Sequence, residues 1–139
     1  MATGATVVSR VFNEVVNEKK IDLLDELFAQ DYVDHGPMGD VTGRENVRAL
    51  FAGFFQAVPD LHCEVGHLIE QGDTVGWIVT STGTHTGDGL GFPATGKRFE
   101  TVSANLGRYR DSRIVEHWSE QGMFPMLVQL GVIPRPAPA

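Results

Sequence analysis

The sequence has a single cysteine, Cys63, among its 139 residues. One cysteine cannot form an internal disulfide bond, and it rules out metal sites built from several thiolates. No apolar stretch approaches the roughly 18 residues that are needed to span a membrane. The N-terminus also lacks a basic segment followed by an apolar run, which a signal peptide would show. These absences predict a cytoplasmic protein that has no membrane partner.

Basic residues are scarce as well. The chain has 11 Lys and Arg against 18 Asp and Glu, and its formal net charge is −7. Because an acidic surface repels phosphate groups, and no Lys/Arg cluster offsets this charge, we expect no nucleic-acid partner. The glycine-rich stretch 87–96 lacks the Gly-Lys-Ser/Thr end of a phosphate loop, and the histidines do not show His-x-x-x-His spacing. The sequence therefore predicts neither a bound metal nor a phosphate-binding loop.

The composition is that of an ordinary globular chain, with 42% hydrophobic and 21% charged residues, and the length predicts one domain over residues 1–139. Apolar residues at helical spacing predict a first helix from Thr6 to about Lys19, and Asp22 can cap a second, shorter one. A capping box at Thr42 and Glu45 predicts a third helix that runs to about Val58. Residues 1–5 and the proline-rich residues 134–139 are expected to be mobile.

From Leu61 onward the apolar pattern changes to a period of two, which predicts about four antiparallel strands joined by short turns. A glycine-rich loop, 85–97, interrupts them. Helices followed by antiparallel strands indicate an α+β fold, with the N-terminal helices packed on one face of a curved sheet.

The last predicted strand carries most of the candidate catalytic and substrate-binding residues. Because side chains alternate along a strand, Glu116, Trp118 and Glu120 should share one face, and Val115, His117 and Ser119 the other. At most one of Glu116 and His117 can therefore point into an interior pocket. The periodicity alone leaves open which of the two does.

Several motifs occur in a fixed order along the chain: Tyr32-Val-Asp-His35, Gly43-Arg44-Glu45, Pro59-Asp60, Gly83-Thr-His-Thr-Gly87, Pro93-Ala-Thr-Gly96, Tyr109-Arg-Asp111, Ile114-Val-Glu-His-Trp118 and Gln129-Leu-Gly131. In this combination the sequence resembles the SnoaL-like polyketide cyclases, of the superfamily named after nuclear transport factor 2. The resemblance extends from about Val7 to Pro134.

The resemblance implies a cone-shaped curved sheet whose helices close an interior pocket for a flat, hydrophobic molecule. It also implies ring closure of a polyketide ester by intramolecular aldol chemistry, or a related isomerase or lyase reaction, without metal or cofactor. Members of the superfamily commonly pair through the outer face of the sheet, so a homodimer or higher homo-oligomer is expected.

One position departs from the family. The catalytic acid of these cyclases is an Asp four residues after the Trp of the Glu-His-Trp motif, and that position is Gly122 here. Glu120, two residues away on the same face, is a candidate replacement, or else a solvated carboxylate at the end of the strand. His35, which the family places near the pocket, is either an acid–base group with a pKa of about 6.5 or a structural hydrogen-bonding residue. With His117, these residues are the catalytic candidates.

The candidate substrate-binding residues also allow two interpretations each. Trp118 can stack on a flat substrate or fill the base of the cone. Arg108 can bind a substrate carbonyl or pair with Glu116. Phe51 and Phe55 belong to an apolar helix stripe that builds the core or lines the mouth of the pocket. Gly122, at the position of the missing acid, is taken as part of the pocket.

Two functions follow from these observations. The first is a cofactor-free cyclase or isomerase that acts by acid–base chemistry on a small, hydrophobic, polyketide-like carbonyl compound. The alternative is a non-catalytic small-molecule-binding or accessory protein with the same fold, because the family's acid is replaced by Gly122.

Overall fold

The structure is a computed structural model that describes residues 3–137. Its helical segments are all short except one. Helix α1 (Gly4–Arg10) continues as a π-helical segment, Val11–Val16, and a 3₁₀ turn, Ile21–Leu23, leads into α2 (Leu24–Leu27). Helix α3 (Arg44–Ala57) has 14 residues, and α4 (Met123–Gln129) follows the last strand.

Six strands form one sheet. They are β1 (Phe28–Gly36), β2 (Gly39–Thr42), β3 (His62–Gln71), β4 (Thr74–Thr84), β5 (Arg98–Arg110) and β6 (Arg113–Glu120). Their order is β2-β1-β6-β5-β4-β3, and every neighbouring pair is antiparallel except β1 and β6, which are parallel. The α+β fold with a curved sheet is confirmed. From Leu61 onward the four predicted antiparallel strands are β3 to β6, whereas residues 28–42 add two strands that the sequence did not predict, β1 and β2.

The two faces of the sheet have different surroundings. The inner face carries the alternating buried residues of the strands, such as Val75, Trp77 and Val79 of β4, which join the hydrophobic core with the N-terminal helices. The outer face carries the intervening residues, such as Val102 and Leu106 of β5, which are exposed. Any interior chemistry must therefore come from inner-face side chains.

The first helix begins earlier than the sequence predicts. Thr3 accepts a hydrogen bond from the Thr6 amide through its hydroxyl, and Gly4 is buried directly against the Tyr109 ring, where a larger residue would collide. Gly4 and Ala5 are thus helical, which corrects the expectation of a mobile segment there. Residues 1, 2, 138 and 139 lie outside the described residues, and 134–137 form no helix or strand. No helix among residues 3–137 is long and apolar enough to cross a membrane.

The predicted capping box of α3 does not form. The residue before the helix is Gly43, whose amide donates to the carbonyl of Tyr32 on β1, and no side chain caps the helix. The Glu45 carboxylate instead accepts from the Arg48 guanidinium at 2.9 Å. A full positive charge one helical turn away outcompetes the neutral backbone amide for this carboxylate.

Residues 85–97 form the predicted loop, which lies against α3. His85 is fully buried, and its Nδ1 accepts a hydrogen bond from the Thr95 amide at 3.2 Å. Gly89, with φ +136°, lies so close to the helix that a Cβ there would be 2.6 Å from the Gly53 carbonyl oxygen. The glycine is needed because only the absence of a side chain allows this approach.

Candidate functional site

A small polar cluster occupies the inner face of the sheet, within an otherwise apolar core. Strand register places it: Asp34 of β1 pairs with His117 of β6, and His117 pairs with Gly107 of β5. The adjacent row across β4, β5 and β6 is Trp77, Asn105 and Ser119. Residues far apart in sequence thus meet on one surface, which the N-terminal helices cover.

His117 is held by contacts in three directions. Its Nδ1 lies 3.2 Å from Asp34 Oδ2, and its Nε2 lies 2.9 Å from Asn105 Oδ1. Its ring stacks on Trp77 with a centroid separation of 5.4 Å and an interplanar angle of 14°. His117 and Asp34 are each only 8% exposed, so the pair is largely shielded from water.

Gly107 makes this stacking possible. A Cβ at this position would lie 3.1 Å from two carbon atoms of the Trp77 six-membered ring and 3.2 Å from Ile114 Cδ1. Since that is closer than carbon atoms normally approach, a side chain here would displace the indole. The glycine therefore lets Trp77 lie flat across β5 and reach the imidazole of His117.

Asp34 also binds Tyr32, two residues earlier on the same face of β1. The phenol donates to Asp34 Oδ2 at 3.0 Å. Burial, reinforced by the nearby Asp34 carboxylate, raises the pKa of Tyr32 well above its ordinary value. The phenol consequently remains a hydrogen-bond donor, and one carboxylate oxygen of Asp34 lies within hydrogen-bond distance of both the phenol and the imidazole.

Two further polar atoms of the inner face have no hydrogen-bond partner among residues 3–137. They are the indole Nε1 of Trp77 and the hydroxyl of Ser119, both of which are buried. Buried donors without partners are uncommon in folded proteins and call for an explanation. Here both belong to the row next to His117, on the helix-covered face of the sheet.

Most of the site residues that the sequence suggested lie on the opposite, outer face. The two faces of β6 divide as predicted, and His117 is the member that points inward. Glu116, Trp118 and Glu120 point outward, opposite Arg108, Leu106 and Ala104 of β5. His35 pairs with Trp118 and so shares the outer face. The expectation that His35 and Glu120 lie at the interior pocket was therefore wrong.

His35 instead belongs to a charged cluster on the outer face. Its Nε2 lies 2.7 Å from Glu116 Oε2 and its Nδ1 lies 2.8 Å from Asp40 Oδ1, while its ring stacks on Trp118 at 5.2 Å. The hydrogen bond with Glu116, and then the one with Asp40, raises the pKa of His35. Because these contacts join β1, β2 and β6, they support the structural interpretation of this residue.

Arg108 completes that cluster. Its Nη1 donates to Glu116 Oε1 at 2.9 Å, and its guanidinium lies 5.5 Å from the centroid of the Trp118 ring. The pairing of Arg108 with Glu116, one of its two predicted interpretations, is confirmed. Trp118 accordingly contacts a histidine and an arginine at the protein surface.

Glu120 and Gly122 line a groove on the outer side of the molecule. The groove has a volume of about 570 Å³, and its wall includes Ile78, Val102 and Phe124. Gly122 precedes α4 with a left-handed backbone, φ +62° and ψ 31°. A Cβ at Gly122 would lie 2.8 Å from the carbonyl oxygen of Val102. The position that the resemblance assigns to the family's acid is thus a backbone turn that favours glycine.

Phe51 and Phe55 project from α3 and are half-buried against the core. Phe51 packs edge-on to Phe28 at 6.1 Å, and Phe55 lies 5.9 Å from Phe51. These contacts belong to the helix-covered side of the sheet, so a substrate-binding role remains a prediction. Within residues 3–137, no group of three or more His, Cys, Asp or Glu side chains is arranged to hold a metal ion.

The profile of one protein family, SnoaL-like polyketide cyclase, matches residues 6–130. The chain belongs to this family. No curated protein matches it.

Solved structures of similar proteins agree with this assignment. The chain is 33% identical to IdmH from Streptomyces antibioticus, a proposed polyketide cyclase, over 90% of this chain and 96% of that one, with a TM-score of 0.78. It is 28% identical to AclR from Streptomyces galilaeus, a proposed hydroxylase, over 94% of this chain and 82% of that one, with a TM-score of 0.80. It is 22% identical to a Catenulispora acidiphila protein with a ketosteroid isomerase-like fold. That alignment covers 99% of this chain and 100% of the other, with a TM-score of 0.77. The last similarity concerns the fold alone.

Four residues of the inner cluster were missed in the sequence: Tyr32, Asp34, Trp77 and Asn105. For Tyr32 and Asp34 a signal was present, because alternate residues of a strand share a face and His35 must then point the other way. Trp77 and Asn105 lie on different strands of a long meander, and their contact depends on register, which no local pattern specifies.

Proposed function

We propose that this SnoaL-like protein is an enzyme that transfers protons at carbon next to a carbonyl group, in a small and hydrophobic polyketide-like compound. Ring closure or isomerisation would be the outcome. The observation that carries the proposal is the buried pair of His117 and Asp34 on the helix-covered face of the sheet, at 3.2 Å. A histidine oriented by a carboxylate in a shielded site is a common arrangement for acid–base catalysis.

In this mechanism His117 Nε2 removes a proton from the acidic carbon, and the electron pair of the C–H bond moves to the carbonyl oxygen. Asp34 holds the ring through Nδ1 and stabilises the imidazolium that forms. The unpartnered Trp77 Nε1–H and the Ser119 hydroxyl would donate to the oxygen where charge develops. The enolate carbon then attacks a second carbonyl, whose oxygen takes the proton back from His117. In the structure the Asn105 amide oxygen faces Nε2 and accepts its N–H. The amide therefore has to turn away, and the imidazole has to carry its proton on Nδ1 beside Asp34, before Nε2 can act as the base.

The inner face retains some access to solvent, which a substrate would use. Ser103 and Ser119, both on the inner face, are half-buried rather than buried, and so are Phe51 and Phe55 of the helix above. A route between α3 and the sheet would bring a flat molecule past these aromatic rings to His117. This supports Phe51 and Phe55 as substrate contacts, as the sequence suggested.

The test is hydrogen–deuterium exchange at the acidic carbon of a panel of aromatic 1,3-dicarbonyl esters in D₂O, followed by NMR. We expect the protein to accelerate exchange with saturation kinetics. Binding of the same compounds, measured by calorimetry, without any acceleration would favour the second candidate, a non-catalytic binding or accessory protein. The replacement of the family's acid by Gly122 is the observation that favours this alternative.

We further propose that two copies pair through the outer face of the sheet, as an expected homodimer. Exposed strand faces of antiparallel sheets are usually polar. Here the central strand β5 instead presents two apolar residues, Val102 and Leu106, which are 57% and 44% exposed. Phe124 of α4, which lines the same groove as Val102, is 55% exposed. A second copy is the partner proposed for this apolar surface, because an identical sheet presents the same apolar residues. The single, buried Cys63 suits the reducing cytoplasm proposed as its location.

Sedimentation at micromolar concentration tests the pairing. We expect the unmodified protein to sediment as a dimer and Leu106→Glu as a monomer, because a carboxylate cannot be buried there without a partner. Met38→Glu, which changes another exposed apolar residue in the turn between β1 and β2, is the matched control and should remain dimeric. A wild-type monomer at high concentration would contradict the proposal.

A further inference from the structure

Three of the 11 Lys and Arg residues of this acidic chain line one cavity. The cavity has a volume of about 330 Å³ and includes Arg44, Arg110 and Arg113, together with Asp31 and Asp111. It lies where β1, the start of α3 and the turn between β5 and β6 meet, and it does not include any member of the His117 cluster. We propose that this cavity binds a small oxyanion, a phosphate monoester or a carboxylate. The inference is independent of the proposed catalytic function.

The strongest argument is an unfavourable pairing across the β5–β6 hairpin. Arg110 and Arg113 are direct cross-strand partners. Residues directly opposite each other share a face of the sheet, and like charges in this relation destabilise it. The two turn residues between them, Asp111 and Ser112, both have positive φ, +54° and +63°, which closes the strands with a two-residue turn. The short turn fixes the two Cα atoms opposite each other, and an anion between the guanidinium groups would relieve the repulsion between them.

The carboxylates nearby compensate these charges only in part. Among residues 3–137 the one ion pair of Arg110 is with Asp31, at 3.7 Å, and both side chains are mostly exposed. Arg113 has no ion pair within the same range. Three guanidinium groups and two carboxylates line the cavity, and the Asp25 carboxylate, which lies outside the lining, is shared between Arg44 and Arg48.

Arg44 supplies a fixed donor at the wall of the cavity. Its Nη1 donates to the backbone carbonyls of Phe28 at 3.2 Å and Asp25 at 3.4 Å, and its Nε lies 3.4 Å from the Asp25 carboxylate. These contacts hold the guanidinium plane and leave Nη2 without a hydrogen-bond partner among the described residues. A planar guanidinium held in advance binds phosphate or carboxylate oxygens with little further loss of side-chain entropy.

The experiment is a titration of the full-length protein with inorganic phosphate and, separately, with acetate, at constant ionic strength set with sodium chloride. Amide chemical shifts of 110–113 report the binding. We expect saturation by at least one of the two anions, and the tighter one identifies the class of ligand. Arg113→Gln should weaken that binding by about tenfold or more, because one charge-assisted contact is lost. Arg135→Gln, an exposed arginine outside the cavity, makes the same change in net charge and should bind as the wild type does.

A purely structural role for these arginines predicts a different result. In that case Arg113→Gln would unfold at a lower temperature than the wild type in chloride alone. If the cavity is a binding site, the variant should be as stable as the wild type without phosphate, or more stable, and should lose only the stabilisation that phosphate adds. Shifts that do not saturate, or that saturate equally in Arg113→Gln, would overturn the proposal.

Discussion

Replacing His117 by Gln is expected to lower kcat/KM for carbon-bound proton exchange by a factor of about 10² to 10⁴, the usual contribution of a general base. The glutamine can still contact Asp34 and Asn105, so the change removes the titratable imidazole while keeping part of the hydrogen bonding. His35→Gln is the matched control, because it removes an imidazole from the outer face. It should leave the rate unchanged, and both variants are assayed by the same NMR exchange measurement.

Folding must be checked separately, since His117 is buried and stacked on Trp77. A His117→Gln protein whose thermal unfolding and near-ultraviolet spectrum resemble those of the wild type makes the kinetic comparison valid. A rate that survives in His117→Gln and falls in His35→Gln would place the chemistry on the outer face instead. That result would support the acid–base role considered for His35 and refute the inner site.

The division of β6 into two faces could be predicted because a strand has a strict period of two. Glu116 and His117 therefore had to point in opposite directions, and they do. Which of them faces the helices depends on the pairing of β6 with β1, between residues about 80 positions apart, such as Asp34 and His117. Local patterns carry no information on that register, so the sequence left the choice open.

The position of His35 shows the limit of reasoning from a resemblance. The resemblance placed this residue near the pocket, but it did not specify which way its side chain points. In β1 the alternating pattern puts Tyr32 and Asp34 with the core, and His35 then has to face outward, where Glu116 and Asp40 bind it. Applying the same period-two argument to β1 that was applied to β6 would have selected Asp34 rather than His35.

The helix starts show a different limit. Whether a capping box forms depends on which partners compete for its hydrogen-bonding groups, and a local sequence motif does not include partners that are distant in sequence. Arg48 competes for Glu45, while Tyr32 of β1 binds the amide of Gly43. The end of α3 near Val58, by contrast, was predicted well, because Pro59 cannot continue a helix whatever surrounds it.

Introducing the family's acid by Gly122→Asp is expected to destabilise the protein by about 2 kcal/mol rather than to raise its activity. Gly122 has φ +62°, a left-handed conformation that costs energy for any residue with a side chain. A Cβ would also lie 2.8 Å from the Val102 carbonyl oxygen, so β5 or the start of α4 has to shift. The aspartate carboxylate would begin beside that carbonyl, whose partial negative charge repels it. Urea unfolding measures the change in the free energy of unfolding, and the exchange assay measures the change in rate.

Two alanine variants separate the two costs of that substitution. Gly72, in the turn between β3 and β4, has φ +59°, but a Cβ there would meet no atom within 4 Å. Gly72→Ala should therefore lower the free energy of unfolding by the conformational cost alone, about 1 kcal/mol. Gly122→Ala also brings a Cβ into collision with Val102, so its free energy of unfolding should fall clearly further. Equal decreases in the free energy of unfolding would mean that α4 adjusts freely, and the aspartate of Gly122→Asp could then be accommodated. A larger loss of stability in Gly122→Ala means that the backbone at this position does not accept a side chain, and proton transfer then has to come from another group such as His117.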